Sequence, residues 1–108
     1  MSKFDNFFGA VLNAAETVGG KAARDFLQQA TTDSEAFKQQ AEADLQTWTV
    51  ARANNEITQD DFDSLIRGQW AEAALAALLK AQFAGQKAAD LRDQIIKTAI
   101  SAAITILL

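Results

Sequence analysis

The chain divides at residues 54–61, which read NNEITQDD. Asparagine after a helical run favours the left-handed conformation that ends many helices. Thr58 followed three residues later by Asp61 has the spacing of a capping box, which begins a new helix. We therefore predict a turn at about residues 54–57. This turn lies at the midpoint of the 108 residues, so it predicts two helical arms of nearly equal length.

Each side of this turn carries one stripe of mostly apolar residues at helical spacing. On both sides the stripe takes twelve steps over 44 residues, or about 3.7 residues per step, which is close to the α-helical period. In the first half it consists of Phe4, Phe8, Val11, Ala15, Val18, Ala22, Phe26, Ala30, Asp33, Phe37, Ala41, Leu45 and Trp48. In the second half it consists of Phe62, Ile66, Trp70, Ala73, Ala77, Ala81, Ala84, Ala88, Leu91, Ile95, Ala99, Ala102 and Ile106.

The composition agrees with helices throughout the chain. It includes 23 alanines, five glycines and no proline, and alanine is the strongest helix former whereas proline is the strongest breaker. The sequence therefore predicts an all-α protein with a single domain over residues 1–108. We predict a long antiparallel helical hairpin, with arms at about residues 3–53 and 58–107 that are each roughly 75 Å long if unbroken.

Several residues in the arms favour a different helical architecture. Gly19 and Gly20 are able to end a helix, and Thr32 with Glu35 has the spacing of a second capping box. Gly85 is able to interrupt the second arm in the same way. The alternative prediction is a compact up-down-up-down four-helix bundle with helices near residues 3–30, 34–53, 58–83 and 86–107.

The residue types exclude most catalytic chemistry. The chain has no Cys, His or Tyr, so it lacks thiolates, the usual general base at neutral pH and the commonest transition-metal ligand. We therefore expect a protein that is not an enzyme, with no catalytic residue, no cofactor and no metal ion. A weaker alternative is an enzyme that uses Asp60, Asp61 and Asp63 with a hard cation.

The charge distribution argues against nucleic acid as a partner. The net charge is −4, whereas phosphate binding requires a concentrated basic surface. Residues 33–63 contain eight acidic and two basic residues. The acidic character is therefore concentrated in the middle of the chain, and both ends are nearly neutral and more apolar.

The ends also carry more apolar residues than one seam between two helices is able to bury. Contiguous exposed apolar patches of more than a few hundred Å² usually mark an interface. We therefore predict a helical interaction or assembly protein that self-associates through the flanks of the hairpin, most simply as a dimer. The predicted interface consists of Leu75, Leu78, Leu79, Phe83, Ile96, Ile100, Ile104, Leu107 and Leu108.

A membrane surface or a second helical protein is the alternative partner, met by the apolar terminal segments. The predicted N-terminal contact consists of Phe4, Phe7, Phe8, Val11 and Leu12. The uncharged C-terminal run, residues 98–108, spans only about 16 Å as a helix, roughly half of a bilayer core. Asp5 and the short apolar run after it do not make a secretory signal, so the default expectation is a cytoplasmic protein.

Overall fold

The computed structural model describes residues 2–108, which form four α-helices. They are α1 (Lys3–Ala30), α2 (Glu35–Ala53), α3 (Gln59–Lys80) and α4 (Gly85–Leu107). No strand occurs in this part of the chain. The all-α prediction is therefore confirmed, and the predicted central turn lies between α2 and α3.

The central turn is held by hydrogen bonds among its own residues. Asn55 adopts the left-handed conformation, with φ of 60°, and the backbone N–H of Glu56 donates to the carbonyl of Ala51, as in a Schellman motif. Thr58 and Asp61 make both hydrogen bonds of the capping box, at 3.0 and 3.1 Å. Because these backbone groups find local partners, residues close in sequence are sufficient to define the turn.

Both arms of the predicted hairpin are folded back, so unbroken arms of roughly 75 Å do not form. The first arm is interrupted at Gly20 and again between α1 and α2, and the second arm is interrupted between α3 and α4. The longest dimension of the molecule is accordingly 42 Å. The chain adopts the alternative architecture, a compact bundle of four helices.

Gly20 makes a kink inside α1 that only glycine tolerates. Its φ of 82° and ψ of −178° lie in a region that is essentially closed to residues with a Cβ. The kink changes which face of the helix meets the core. Ala15 is buried before it, whereas Ala23 and Leu27 are buried after it and the stripe residue Ala22 is exposed. The apolar phase therefore slips by one residue at Gly20.

The capping box predicted at Thr32 and Glu35 is wrong in its N-cap. Ser34 caps α2, and its hydroxyl accepts a hydrogen bond from the backbone N–H of Phe37 at 3.4 Å. Thr32 follows Thr31, the C-cap of α1, and its hydroxyl donates to the carbonyl of Gln28. The end of the preceding helix thus shifts the start of α2 by two residues.

Neighbouring helices alternate in direction. The ring of Phe7 in α1 lies against Trp70 in α3, and Gly19 approaches Leu78 further along both helices. The first part of α1 therefore runs parallel to α3. The short connections place α2 and α4 antiparallel to α3, which gives the up-down-up-down order.

Trp70 occupies the centre of the core. Its side chain is fully buried, and the rings of Phe7, Phe8 and Phe37 surround it with centroid separations of 5.9, 5.7 and 5.3 Å. Such tilted and edge-on aromatic contacts are favourable beyond the area that they bury. This cluster links α1, α2 and α3.

Helix α2 packs least closely of the four. It contributes two buried residues, Ala41 and Leu45, whereas α1 contributes eight. Its aromatic side chains Phe37 and Trp48 are only partly buried against the core. Much of the surface of α2 therefore faces solvent.

One chain encloses its core as completely as a typical monomer of its mass. The accessible surface is 5917 Å², and about 5,900 Å² is expected for a folded monomer of this mass. The apolar terminal segments, which belong to α1 and α4, are covered because these two helices pack against each other and against α3. The accessible surface of one chain is therefore no larger than is usual for a monomer of this mass.

Candidate functional site

The bundle buries half of the residues that the sequence predicts to meet a partner. These residues are Phe7, Phe8, Val11, Leu12, Leu78, Ile96 and Leu107. They form part of the core of one folded chain, and a partner reaches them only if the bundle opens. The surplus of apolar residues was predicted for a hairpin, which has a single seam between two helices. Four helices form several seams and therefore bury more apolar side chains.

The other half retains some exposed surface but is not brought together in one place. Its members are Phe4, Leu75, Leu79, Phe83, Ile100, Ile104 and Leu108. Leu79 lies near the end of α3, whereas Ile104 lies beside Gln59 at the beginning of the same helix. Twenty helical residues separate these two ends by about 30 Å. The predicted interface is thus divided between opposite ends of the bundle.

Exposed apolar side chains remain at the end of the bundle where α1 begins and where α2 and α4 end. We define the terminal patch as Phe4, Val50, Ile104 and Leu108. The exposed fractions of Val50, Ile104 and Leu108 are 53, 40 and 47%. Phe4 and Val50 line an open depression of about 230 Å³ together with Leu107, and Ile104 and Leu108 line another of about 380 Å³. The patch unites Val50, which the sequence did not predict, with three residues that it did.

The rim of the terminal patch is polar. Lys3 lines the first depression and Arg52 lines the second. The guanidinium of Arg52 donates to the side-chain oxygens of Gln59 and Asn55, and Asp60 follows Gln59 directly. An apolar centre with a polar rim is the usual arrangement of protein–protein interfaces.

Helix α2 presents a second distinctive surface, an outer face without charge. We define the α2 outer seam as the exposed residues Ala36, Gln39, Ala43, Gln46, Val50 and Ala53. Successive members are separated by three and four residues in alternation, which is the spacing of a heptad seam. The same spacing is present in the sequence, but the pattern that predicted this helix was the apolar stripe through Phe37 and Ala41 on its other face.

The acidic residues Asp60, Asp61 and Asp63 serve the start of α3. Asp61 accepts from the backbone N–H of Thr58, and Asp63 accepts from the side-chain amide of Gln59 at 2.8 Å. Negative charge in the first turn is also favoured by the helix dipole. Among residues 2–108, no three or more potential ligands of the types His, Cys, Asp and Glu are grouped so as to hold a metal ion.

None of the helices described over residues 2–108 combines the length and apolar content needed to cross a bilayer. No protein-family model, curated protein or solved structure matches this chain. The function is therefore inferred from the terminal patch itself.

Proposed function

We propose that this protein is a non-enzymatic helical interaction protein whose folded bundle self-associates through the terminal patch. The observation that carries the proposal is the exposure of Val50, Ile104 and Leu108 at one end of the bundle, where they line two open depressions. They are three of the four large apolar side chains that residues 2–108 leave exposed. Single exposed apolar residues are normal, whereas a cluster with a polar rim marks an interaction site.

Self-association at this patch joins folded monomers and does not complete a fold. The patch consists of four side chains, whereas a standard interface involves about 20–30 residues from each partner. We therefore expect a reversible complex that forms as the concentration rises. A two-fold dimer is the simplest closed arrangement, because the same patch on each chain then contacts its copy.

Sedimentation equilibrium over a range of concentrations tests self-association. The mass of the full chain is expected to rise from 11.7 kDa toward that of a dimer. Replacing both Ile104 and Leu108 by serine removes apolar surface from the patch, and we expect the dissociation constant to increase by about tenfold or more.

Leu79→Ser provides the matched control. Leu79 is 50% exposed, which is similar to the patch residues, but it lies near the opposite end of α3. We expect this variant to associate like the original chain. A mass of 11.7 kDa at every concentration, or an equal loss of association in the Leu79 variant, would contradict the proposal.

An anionic membrane surface is the second candidate partner for the terminal patch. The observation that favours it is the presence of Lys3 and Arg52 at the rim, because basic residues beside exposed apolar side chains promote attachment to anionic lipid. Flotation with vesicles of phosphatidylcholine and phosphatidylserine tests this function. Binding that decreases in Arg52→Gln supports it, and absence of the chain from the floated fraction at low salt excludes it.

A further inference from the structure

Helix α2 is held on the bundle by few buried side chains. It buries Ala41 and Leu45, whereas α1, α3 and α4 bury eight, six and seven residues. Helix α4 packs against α1 and α3, and these two helices also pack against each other. Most of the core therefore lies within a three-helix unit of α1, α3 and α4, and α2 covers one side of that unit.

Polar contacts add little to the attachment of α2. Away from the central turn, two side-chain contacts among residues 2–108 join α2 to the three-helix unit. The side-chain amide of Gln69 donates to the carbonyl of Ala41 at 3.3 Å, and Lys38 pairs with Asp5 at 3.6 Å. Both ionic side chains are more than one-third exposed, and exposed ion pairs stabilise a fold only slightly.

The interface of α2 also contains buried polar atoms that lack a hydrogen-bond partner. Among residues 2–108 these atoms are Thr49 Oγ1, Gln69 Oε1 and Trp70 Nε1. Thr49 belongs to α2, the amide nitrogen of Gln69 donates to α2, and the ring of Trp70 contacts Phe37 of α2. A buried polar atom without a partner has given up its hydrogen bonds to water. Because water regains access to this interface when α2 separates, separation costs less than the buried apolar area alone implies.

The packing between α2 and α3 is interrupted beside Phe37. Phe37 and Gln69 line two open depressions of about 220 and 310 Å³. Side chains that face a gap lose the dispersion contacts that close-packed helices make. Helix α2 therefore gains less from packing in this region than a close-packed helix does.

Both ends of α2 are defined by hydrogen bonds between residues close in sequence. Ser34 caps the beginning of the helix, and the turn after it is closed by Asn55, Thr58 and Asp61. These bonds do not involve the core. The connections of α2 to α1 and to α3 are thus able to persist when α2 leaves the bundle.

We propose that α2 is a lid helix, which separates from the bundle as a unit while α1, α3 and α4 remain packed. Segments with few buried apolar contacts are the parts of a fold that open at a lower free energy than the whole. Separation uncovers the side of Trp70 that Phe37 covers. The bundle thereby has a closed form and an open form that presents part of its aromatic core. This device does not depend on self-association through the terminal patch.

Hydrogen–deuterium exchange of the full chain tests the proposal. An isolated helix of this length is marginal in water, so its amides exchange once α2 has separated. We expect protection factors in the middle of α2 to be at least about tenfold lower than the highest values in α3 and α4. Equal protection in all four helices would overturn the proposal.

A substitution in α4 distinguishes separation of α2 from unfolding of the whole bundle. Ile95 is fully buried and stays packed whether or not α2 is attached. Ile95→Val is therefore expected to accelerate exchange in α3 and α4 by about threefold or more, while exchange in α2 stays unchanged. Leu45→Ala removes a side chain that is packed in the closed form only, and exchange in α2 is expected to rise about thirtyfold or more. If Ile95→Val accelerates exchange equally in α2 and α3, then α2 opens only when the bundle unfolds, and the proposal is wrong.

Thiol labelling measures the same opening independently, because the chain contains no cysteine. Ala41→Cys in α2 and the matched control Ala99→Cys in α4 each introduce one thiol at a buried site. We expect a small disulfide reagent to label the thiol at position 41 at least about tenfold faster than the thiol at position 99. Circular dichroism checks that both variants fold. Equal labelling rates in two folded variants would contradict a lid that opens before the rest of the bundle.

Discussion

Replacing Gly20 by alanine is expected to destabilise the bundle, although alanine is the better helix former. Gly20 has φ of 82° and ψ of −178°, which an alanine Cβ disfavours strongly. No atom lies within 4 Å of the position that this Cβ takes. The penalty therefore comes from the backbone conformation and not from a steric clash with the core.

The magnitude follows from comparing two ways of accommodating alanine. Keeping the kink costs about 1–3 kcal/mol of backbone strain. Straightening α1 removes the strain but rotates Ala23 and Leu27 out of the core, where both are fully buried. Exposing one leucine side chain alone costs about 1.5–3 kcal/mol, so straightening is no cheaper. We expect a loss of about 1–3 kcal/mol in the free energy of unfolding, or about 4–8 °C in melting temperature for each kcal/mol.

Gly68→Ala is the matched control. Gly68 is exposed in the middle of α3, and no atom lies within 4 Å of its added Cβ. The same substitution there is expected to stabilise the protein by about 0.5–1 kcal/mol, because alanine restricts the unfolded chain and favours the helix. Thermal and urea unfolding followed by circular dichroism should thus give shifts of opposite sign for the two variants.

An increase in the melting temperature of Gly20→Ala would contradict this reasoning. If Gly20→Ala raises the melting temperature as Gly68→Ala does, then α1 continues without the kink and the reasoning about Gly20 is wrong. Small-angle scattering tests the architecture separately, because a 75 Å hairpin has a radius of gyration of about 22 Å, whereas that of the bundle is 13.3 Å.

Two further predictions concern the connection between α3 and α4. Ala84 is the N-cap of α4 and makes no side-chain cap, so Ala84→Ser is expected to add about 1 kcal/mol to the unfolding free energy. Ala76→Ser, in the exposed interior of α3, should lower it slightly, and equal effects would count against the assigned cap. Gln82 has φ of 78°, so Gln82→Gly is expected to stabilise by about 1 kcal/mol. Gln94→Gly, inside α4, should cost about the same. Urea unfolding measures all four, and a destabilising Gln82→Gly would show that this strain is absent.

The residues of the central turn show which features are readable from sequence. Asn55 ends α2, and Thr58 with Asp61 begins α3, through hydrogen bonds that span three to five residues. Such interactions depend on local sequence and do not require knowledge of the rest of the fold. Hydrogen bonding between residues close in sequence was therefore sufficient to predict the position of the turn.

The kink at Gly20 shows where the sequence was insufficient. Glycine permits its conformation but does not impose it, since Gly9 and Gly68 lie in regular helix. The kink is favoured because it allows Ala23 and Leu27 to be buried in the bundle. That gain depends on contacts with other helices, so the choice between extended arms and a bundle was left open by periodicity.

The candidate sites show the same difference between what local sequence predicts and what tertiary contacts decide. The sequence identified Ile104 and Leu108 as exposed apolar residues, but it also placed Phe7 and Leu12 at the surface, where a hairpin would leave them. Burial is a property of all the neighbours that reach a side chain, and α1 receives such neighbours from α3 as well as α4. Val50 was missed because it lies on the outer face of α2, away from the apolar stripe that predicted the helix.

The amino-acid sequence by itself determined that this protein is helical, that its chain turns at residues 54–57 and that its residue types lack the usual catalytic groups. These properties follow from backbone propensity, local hydrogen bonding and side-chain chemistry, which act over a few residues. Only the tertiary structure decided which apolar residues form the core and which remain for a partner. That decision rests on contacts between residues far apart in sequence, because the free energy gained by burial depends on how several helices cover one another.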